Sequence, residues 1–337
     1  MGASALHYLV ELGCERPVLV ERDTLASGST GHCAGGVRTL FSDELNVRIG
    51  EESISRLELF ADELDLKLYG YLFLLADEAD AARFAAAPGA RLLTPDEAQT
   101  FVPQLDLDGI VAAAFNERAG YVTPDLVVQA YARRATARGA HIEQSCAATR
   151  ILTDGGRVIG VETANGTIAT DTVVLAAGVW SRELYALPVE PERRFMFFTE
   201  PAPAFPRELP LTIDFASGFY FHREGDALAF GGRQQTLEEL APVAARRLPA
   251  LADLGVRSSW WGWYEMSPDH NALVGAAADP AGLVYATGFS GHGFQQGPVI
   301  GEHLAQLALG LEPTFDLSQF AVERFARGVA RVERNVV

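Results

Sequence analysis

The chain has 337 residues, enough for two cores or for one domain carrying a large insertion. Apolar residues make up 48% and charged residues 21%, the balance of an ordinary globular protein, which excludes a disordered or fibrous chain. The net charge of −17 argues against nucleic acid and anionic membrane surfaces as partners, yet leaves room for a local cationic pocket inside an acidic envelope.

In chain order, residues 2–13 place Ala3, Leu6, Val10 and Gly13 on one face at helical spacing, and an apolar strand at 17–21 ends on Glu21. A loop rich in glycine, serine and threonine, "ASGSTGHCAGGVR" at 26–38, runs into a helical pattern from Asn46 to Leu64. "GYLFLLAD" at 70–77 reads as a strand, and "LTPDEAQTFVPQL" at 93–105 carries a Pro-Asp-Glu helix start. A further helix is expected after Thr123, its predicted cap, with Pro124 in the first turn and Gly139 as its stop.

Two strands, 146–152 and 157–163, flank the turn Asp154-Gly155-Gly156, and a second turn falls at Asn165-Gly166. "TVVLAAGVWS" at 172–181 has the character of a buried parallel strand running into small residues. Residues 193–235 read as several short strands, and a charged helical stretch covers 237–253. The aromatic segment "SSWWGWYEMSPDHNALVG" leads to a strand at 282–288, a glycine-rich turn and a last helix at 298–309. Two of the three tryptophans Trp260, Trp261 and Trp263 are expected in the core, and Asp269-His270 reads as a turn after Pro268. The fold class is therefore α/β, with an α+β second domain interrupting a nucleotide-binding one.

Cys14, Cys33 and Cys146 show neither CxxC nor zinc spacing and fit free thiols in a reducing compartment. No apolar run approaches the roughly 18 residues of a membrane span. The N-terminus lacks the basic stretch of a secretory signal, and Leu6 stands where myristoylation requires Ser or Thr. The cytoplasm is the expected location.

The opening helix and strand form the second half of a βαβ unit. Gly2 takes the place of the third glycine of a GxGxxG turn, and Glu21 that of the acid that grips ribose hydroxyls. The first strand and first glycines of such a unit are absent, and the expectation is a chain start placed about a dozen residues late.

Four stretches then carry a resemblance: "ERDTLASGSTGHCAGGVRTLFS", "VVLAAGVWSREL", "YEMSPDHNALVG" and "YATGFSGHGFQQGPVIGEHLA". In order and spacing they resemble the flavoprotein family of D-amino-acid oxidase, glycine oxidase and sarcosine oxidase/dehydrogenase, from Gly2 to about Phe325. The resemblance implies a Rossmann-like FAD-binding domain built from 1–65, 123–182 and 265–325, with an antiparallel-sheet substrate domain from 66–122 and 183–264.

Backbone N–H groups of the loop 26–38, together with the hydroxyls of Ser29 and Thr30, suit a pyrophosphate and a flavin ring. The cofactor contacts so implied are Gly2, Glu21, Arg22, Ser29, Thr30, His32, Ala34, Gly35, Gly36, Ala148, Ala177, Gly178, Trp180, Gly288, Gly291, Gly293 and Phe294. "GSTGHCAG" is similar to a stretch of dimethylglycine and sarcosine dehydrogenases whose histidine is bonded to the flavin 8α-methyl. Gly31 and Cys33 depart from that stretch, and other relatives have arginine at the place of His32 with a non-covalent flavin, so both states stay open.

As substrate contacts the resemblance implies Arg38, whose guanidinium can take a carboxylate in a bidentate pair, and Tyr264, with His292 and Gln295 facing the same site. Gln295 stands where sarcosine oxidases carry a lysine. Ala229 falls where a lysine activates oxygen in monomeric sarcosine oxidase. Lys67 is the only lysine of the chain, with Arg233 as a conceivable substitute. A dehydrogenase handing electrons to a protein or quinone is accordingly favoured over an oxidase. The expected reaction is hydride transfer from an amino acid or N-methylated amino acid to FAD, giving an imine that water hydrolyses. The alternatives are a non-catalytic or partner-dependent subunit of an amine dehydrogenase, a truncated flavoprotein that binds FAD poorly, and a NAD(P)-linked enzyme.

Overall fold

The structure, a computed structural model, describes residues 1–336. Its larger β layer is an eight-stranded mixed sheet. The spatial order is Val256–Met266, Glu190–Thr199, Ala227–Gly231, Tyr220–Glu224, Leu211–Asp214, Tyr71–Leu75, Ala112–Asn116 and Ala90–Leu93. Neighbours are antiparallel throughout, except Leu211–Asp214 beside Tyr71–Leu75.

Tyr71–Leu75 is buried at all five positions, which is why its sequence is a continuous apolar run with no polar alternation. Successive side chains point to opposite faces. Leu72 and Leu74 join Phe115, Phe197, Phe221 and Phe230 in one core, and Ala98, Leu240 and Ala244 of the helices Pro95–Phe101 and Leu237–Arg247 complete it. Tyr71, Phe73 and Leu75 join Met196, Phe198, Leu211, Ile213 and Tyr220 in a second core. The helix Pro95–Phe101 starts on a capping box in which Thr94 and Glu97 satisfy each other's backbone N–H groups.

The second layer is assembled from short ladders and long helices. Val18–Val20 pairs in parallel with His141–Glu143. Val173–Leu175 pairs in parallel with Leu283–Thr287, whose other edge takes Leu273–Ala276 antiparallel. Ala148–Asp154, Arg157–Thr163 and Gly166–Ala169 form a separate antiparallel sheet. The helix Gly2–Glu11 packs on Pro124–Thr136 and on Gly293–Ala308, and Gly293–Ala308 also packs on Glu44–Glu58. Val18–Val20 and Val173–Leu175 each have one edge without a strand partner among the described residues, and both line a cavity of about 1460 Å³.

Several expectations are corrected. Val173 and Val174 are half-buried instead of buried, because their strand borders that cavity. The last helix begins at Gly293, five residues before Pro298, so Gly293, Gly297 and Pro298 lie inside it. Thr123 makes no capping bond: its N–H and hydroxyl both go to the Asp65 carboxylate, at 2.8 and 2.7 Å. Trp260 and Trp261 are 37% and 41% exposed, since Val256–Met266 is the edge strand of the large sheet. The strands Ala90–Leu93, Ala112–Asn116 and Gly36–Val37 lie where no strand is expected from the sequence.

Candidate active site

Two glycine-rich segments meet at the junction of the layers. Gly36–Val37 pairs antiparallel with Gly120–Tyr121. The next residue, Arg38, donates its backbone N–H to Oε1 of Gln295, in the first turn of Gly293–Ala308, at 2.8 Å. A Cβ on Gly36 would lie 1.8 Å from the Tyr71 hydroxyl, so the loop passes this close to the sheet only because the residue is glycine.

Around this junction lie two cavities. The large one is lined by Gly2, Glu21, Arg22, Ser29, Thr30, Ala148, Ala177, Gly178, Trp180, Gly291, Gly293 and Phe294, all expected cofactor contacts. The small one, about 90 Å³, is lined by Arg38, Tyr264, His292 and Gln295, all four expected substrate contacts, and by Ala34, Gly35 and Gly36. Cys33, Tyr264, Gly291 and Phe294 border both. These four form a wall shared by the two cavities.

Gly288 and His32 line neither cavity. His32 Nδ1 lies 2.8 Å from the Gly28 carbonyl, and its ring meets Trp260 edge-on, with centroids 6.2 Å apart. Arg233, the conceivable substitute for a lysine, is exposed and lines neither cavity. Ala229 is fully buried in the core beneath the small cavity.

Sequence patterning gave no sign of Tyr71, Tyr220, Leu211, Ile213, Ser290 or Val336 in the small cavity. The first four sit in buried strands, where a tyrosine is indistinguishable from core. Burial raises the Tyr71, Tyr220 and Tyr264 phenols above their ordinary value and pushes the Cys33 thiol up to about 12, so all four are neutral hydrogen-bonding groups.

Arg38 is the cation of the pocket. Burial pulls its guanidinium below the ordinary value while Tyr71, Glu333 and Tyr264 oppose that shift, and an arginine so placed stays charged. It lies over the Phe41 ring at 4.0 Å, and donates to the carbonyls of Leu40 and, at 2.6 Å, Asn335. Those two bonds use two of its five N–H groups. His292 Nδ1 faces the Phe289 carbonyl, which can only accept, so Nδ1 carries the proton and Nε2 is a buried acceptor without a partner among the described residues. Burial, with help from Arg38, depresses its pKa to about 3, so this imidazole is neutral and a poor general base.

Glu265, on the wall of the large cavity, is pushed up to about 7 by burial against opposing bonds from the Thr287 hydroxyl and the Phe289 and Gly288 amides. Thr287 Oγ1 lies 2.8 Å from the Gly178 carbonyl and 2.9 Å from Glu265 Oε2. The one hydroxyl proton of Thr287 is shared between these two acceptors, and only its donation to the carboxylate opposes the upward shift.

The residues of the large cavity fit FAD. The small residues of 26–30 leave room for phosphates, and Glu21 presents its carboxylate at the end of Val18–Val20, held by the Asp23 N–H at 2.9 Å. Asp269 is excluded from the chemistry, being locked to Arg324 by two bonds of 2.8 Å, and His270 occupies a left-handed turn with φ 60°.

The profile of a family described as FAD dependent oxidoreductase matches residues 1–307. The chain is 29% identical to FAD-dependent oxidoreductase domain-containing protein 1 of Xenopus laevis, over 100% of its own length and 83% of that protein's. It is 27% identical to mitochondrial sarcosine dehydrogenase of Homo sapiens, over 96% of its length and 40% of the relative's. Among solved structures it is similar to L-proline dehydrogenase from P. horikoshii, with a TM-score of 0.89, 29% identity, and coverage of 98% of this chain and 96% of that one.

Proposed function

The chain belongs to the family of FAD-dependent oxidoreductases, and from that premise we propose that it oxidises an amino acid or an N-methylated amino acid. The observation that carries this reading is the shared wall. A cavity lined by the expected FAD contacts adjoins a small one whose single cation is Arg38. Relatives and structural neighbours named for sarcosine and proline support the same substrate class.

FAD, when bound, supplies the hydride acceptor. Arg38 takes the substrate carboxylate with the N–H groups that Leu40 and Asn335 leave free, and Tyr264 adds a neutral hydroxyl from the wall between the cavities. His292 Nε2 and the tyrosine hydroxyls receive the substrate amine, whose neutral form loses hydride from carbon. No base of ordinary strength is required for that step. The imine released takes up water to give an amine and a carbonyl compound. The apolar walls of Leu211, Ile213 and Phe294, and the volume of about 90 Å³, favour a small substrate.

In this reading 1–65, 123–182 and 265–325 hold the cofactor, and 66–122 and 183–264 hold the substrate. It is supported by the eight-stranded sheet, whose strands all fall in the second set but for the last two residues of Val256–Met266. FAD is held without a covalent bond, since His32 stands outside the lining of the large cavity. The electron acceptor is a protein or a quinone. Lys67 is paired with Asp65 at 3.2 Å away from both cavities, which leaves no lysine to stabilise reduced oxygen. Three free cysteines suit the cytoplasm, and no helix among the described residues is long and apolar enough to cross a membrane. A partner-dependent subunit is the second reading, favoured by Trp260 and Trp261 exposed on an edge strand.

The test is anaerobic bleaching of the bound flavin by sarcosine, dimethylglycine, proline, glycine and D-amino acids. Bleaching by at least one supports the assignment, and silence across the panel with flavin bound contradicts it. Slow recolouring in air with fast recolouring by a quinone supports the dehydrogenase form.

A further inference from the structure

We propose that residues 331–336 form a strap that closes the small cavity, with Glu333 and Asn335 as positioning residues that hold Arg38 ready for the substrate carboxylate. The proposal rests on the reading of Arg38 as the carboxylate ligand and adds the groups that set its geometry.

The chain enters the strap exposed, with Val329 63% and Val332 56% accessible, and then buries Glu333 and Asn335 completely. A carboxylate taken wholly out of water is costly unless its lone pairs are satisfied. Among the described residues no cation lies within salt-bridge distance of Glu333. It accepts instead from Ser42 N and Ser42 Oγ, both at 2.7 Å, from Asp43 N and Asn46 Nδ2, both at 3.0 Å, and from Asn335 N at 2.9 Å. Four of these donors stand at the entrance of the helix Glu44–Glu58, where the helix dipole also favours a negative charge. Burial opposes ionisation, yet these bonds outweigh it and keep the Glu333 pKa below its ordinary value.

The clamp is reinforced on both sides. The Glu333 N–H reaches the Asp269 carbonyl at 3.0 Å, Asn271 Nδ2 reaches the Arg331 carbonyl at 2.7 Å, and the Arg334 N–H reaches Ser42 Oγ at 2.8 Å. Arg83, on the helix Glu78–Ala85 beside the large sheet, donates to Asn335 Oδ1 at 2.9 Å. The strap thus ties the two layers together across the junction. Its product is local: the Asn335 carbonyl takes Arg38 Nη2 at 2.6 Å, and Val336 joins Arg38 and Tyr264 in the cavity lining. With Leu40 and Asn335 holding opposite terminal nitrogens and Phe41 beneath the plane, the guanidinium has one orientation.

Coupling between two sites is reciprocal. If the strap orders Arg38 for a carboxylate, a carboxylate must in turn tighten the strap. A strap with only a structural role is indifferent to the ligand.

The experiment uses the flavin-loaded full chain with acetate as carboxylate probe and methylammonium as control. Acetate affinity is read from perturbation of the flavin spectrum, and strap opening from tryptic cleavage at the exposed Arg331 and Arg334. In the wild type, acetate slows cleavage and methylammonium does not. Glu333→Ala, and the milder Glu333→Gln should the first fail to fold, cleave faster and bind acetate about tenfold more weakly. Loss of the effect of acetate on cleavage accompanies both changes. A wild type that binds acetate without strap protection, or variants that bind it as tightly as the wild type, overturns the positioning role alone. A flavin-loaded wild type with no response to acetate overturns the assignment of Arg38 and the positioning role with it.

Discussion

Gln295 and Arg38 are 257 residues apart in sequence, and a 2.8 Å bond from the Arg38 N–H to Gln295 Oε1 fixes one glycine-rich segment on the other. The expected direct role of Gln295 toward the substrate is thereby joined to a second one, anchoring the backbone that carries the cation. Gln295→Ala leaves a buried N–H without a partner, so stability falls by about 1–3 kcal/mol. KM for a carboxylate substrate rises more than kcat falls. Chemical unfolding and steady-state kinetics check both, and unchanged KM would contradict the anchoring role.

Arg38→Lys keeps the charge but loses the planar fork and the stack on Phe41. One of the bonds to Leu40 and Asn335 is lost as well, because a single ammonium cannot span both carbonyls. KM for the amino acid rises by about tenfold to a hundredfold, while the flavin spectrum of the resting protein is retained. A lysine variant with wild-type KM would remove Arg38 from carboxylate binding.

Gly291 has φ 96°, and a Cβ there would lie 2.3 Å from Cε2 of Tyr264, on the wall shared by the two cavities. Gly291→Ala therefore strains the backbone by about 1–3 kcal/mol and pushes the Tyr264 ring aside. Stability and substrate affinity fall together, and Tyr264→Phe in the same background costs less than in the wild type because the hydroxyl is already displaced. Additive losses in the double variant contradict this coupling.

Two buried groups set opposite pH slopes. The Glu265 carboxyl is raised from 4.5 to about 7, so the folded state binds its proton more tightly. The stabilisation is complete below 4.5 and is lost as pH rises through 7. Burial lowers His222 from 6.5 to about 4, so a penalty grows as pH falls across that window. Urea unfolding of Glu265→Gln should show less loss of stability than the wild type between pH 6 and 8, and His222→Gln less loss between pH 6.5 and 4.5. Identical pH profiles for variants and wild type contradict the assigned protonation states.

Much of the architecture was legible because glycine is itself the signal. The segments 26–38 and 285–302 marked loops that border the cavities, and all but Gly2 and Ala148 of the expected cofactor contacts that line the large cavity fall in the stretches quoted for the resemblance. What stayed hidden lacked periodicity or imitated core. Tyr71 and Tyr220 sit in buried strands, where an aromatic residue reports packing before it reports a hydroxyl facing a cavity. Glu333 and Asn335 lie in a short polar segment with no helical or strand period, and only contacts across nearly 300 residues show their burial. Pro298 was expected before its helix because proline usually opens one. Here it sits in the second turn, and its carbonyl still takes a bond from Arg56 at 3.3 Å.

The central claim is that the small cavity selects its substrate by the carboxylate, next to the cofactor. Its most direct test is the anaerobic rate of flavin bleaching by the best amino acid of the panel, set against its decarboxylated counterpart: sarcosine against dimethylamine, or proline against pyrrolidine. The account predicts that the amino acid bleaches the flavin at least about a hundredfold faster at equal concentration, and that Arg38→Lys removes most of this difference. Equal rates for the two members of a pair would contradict it.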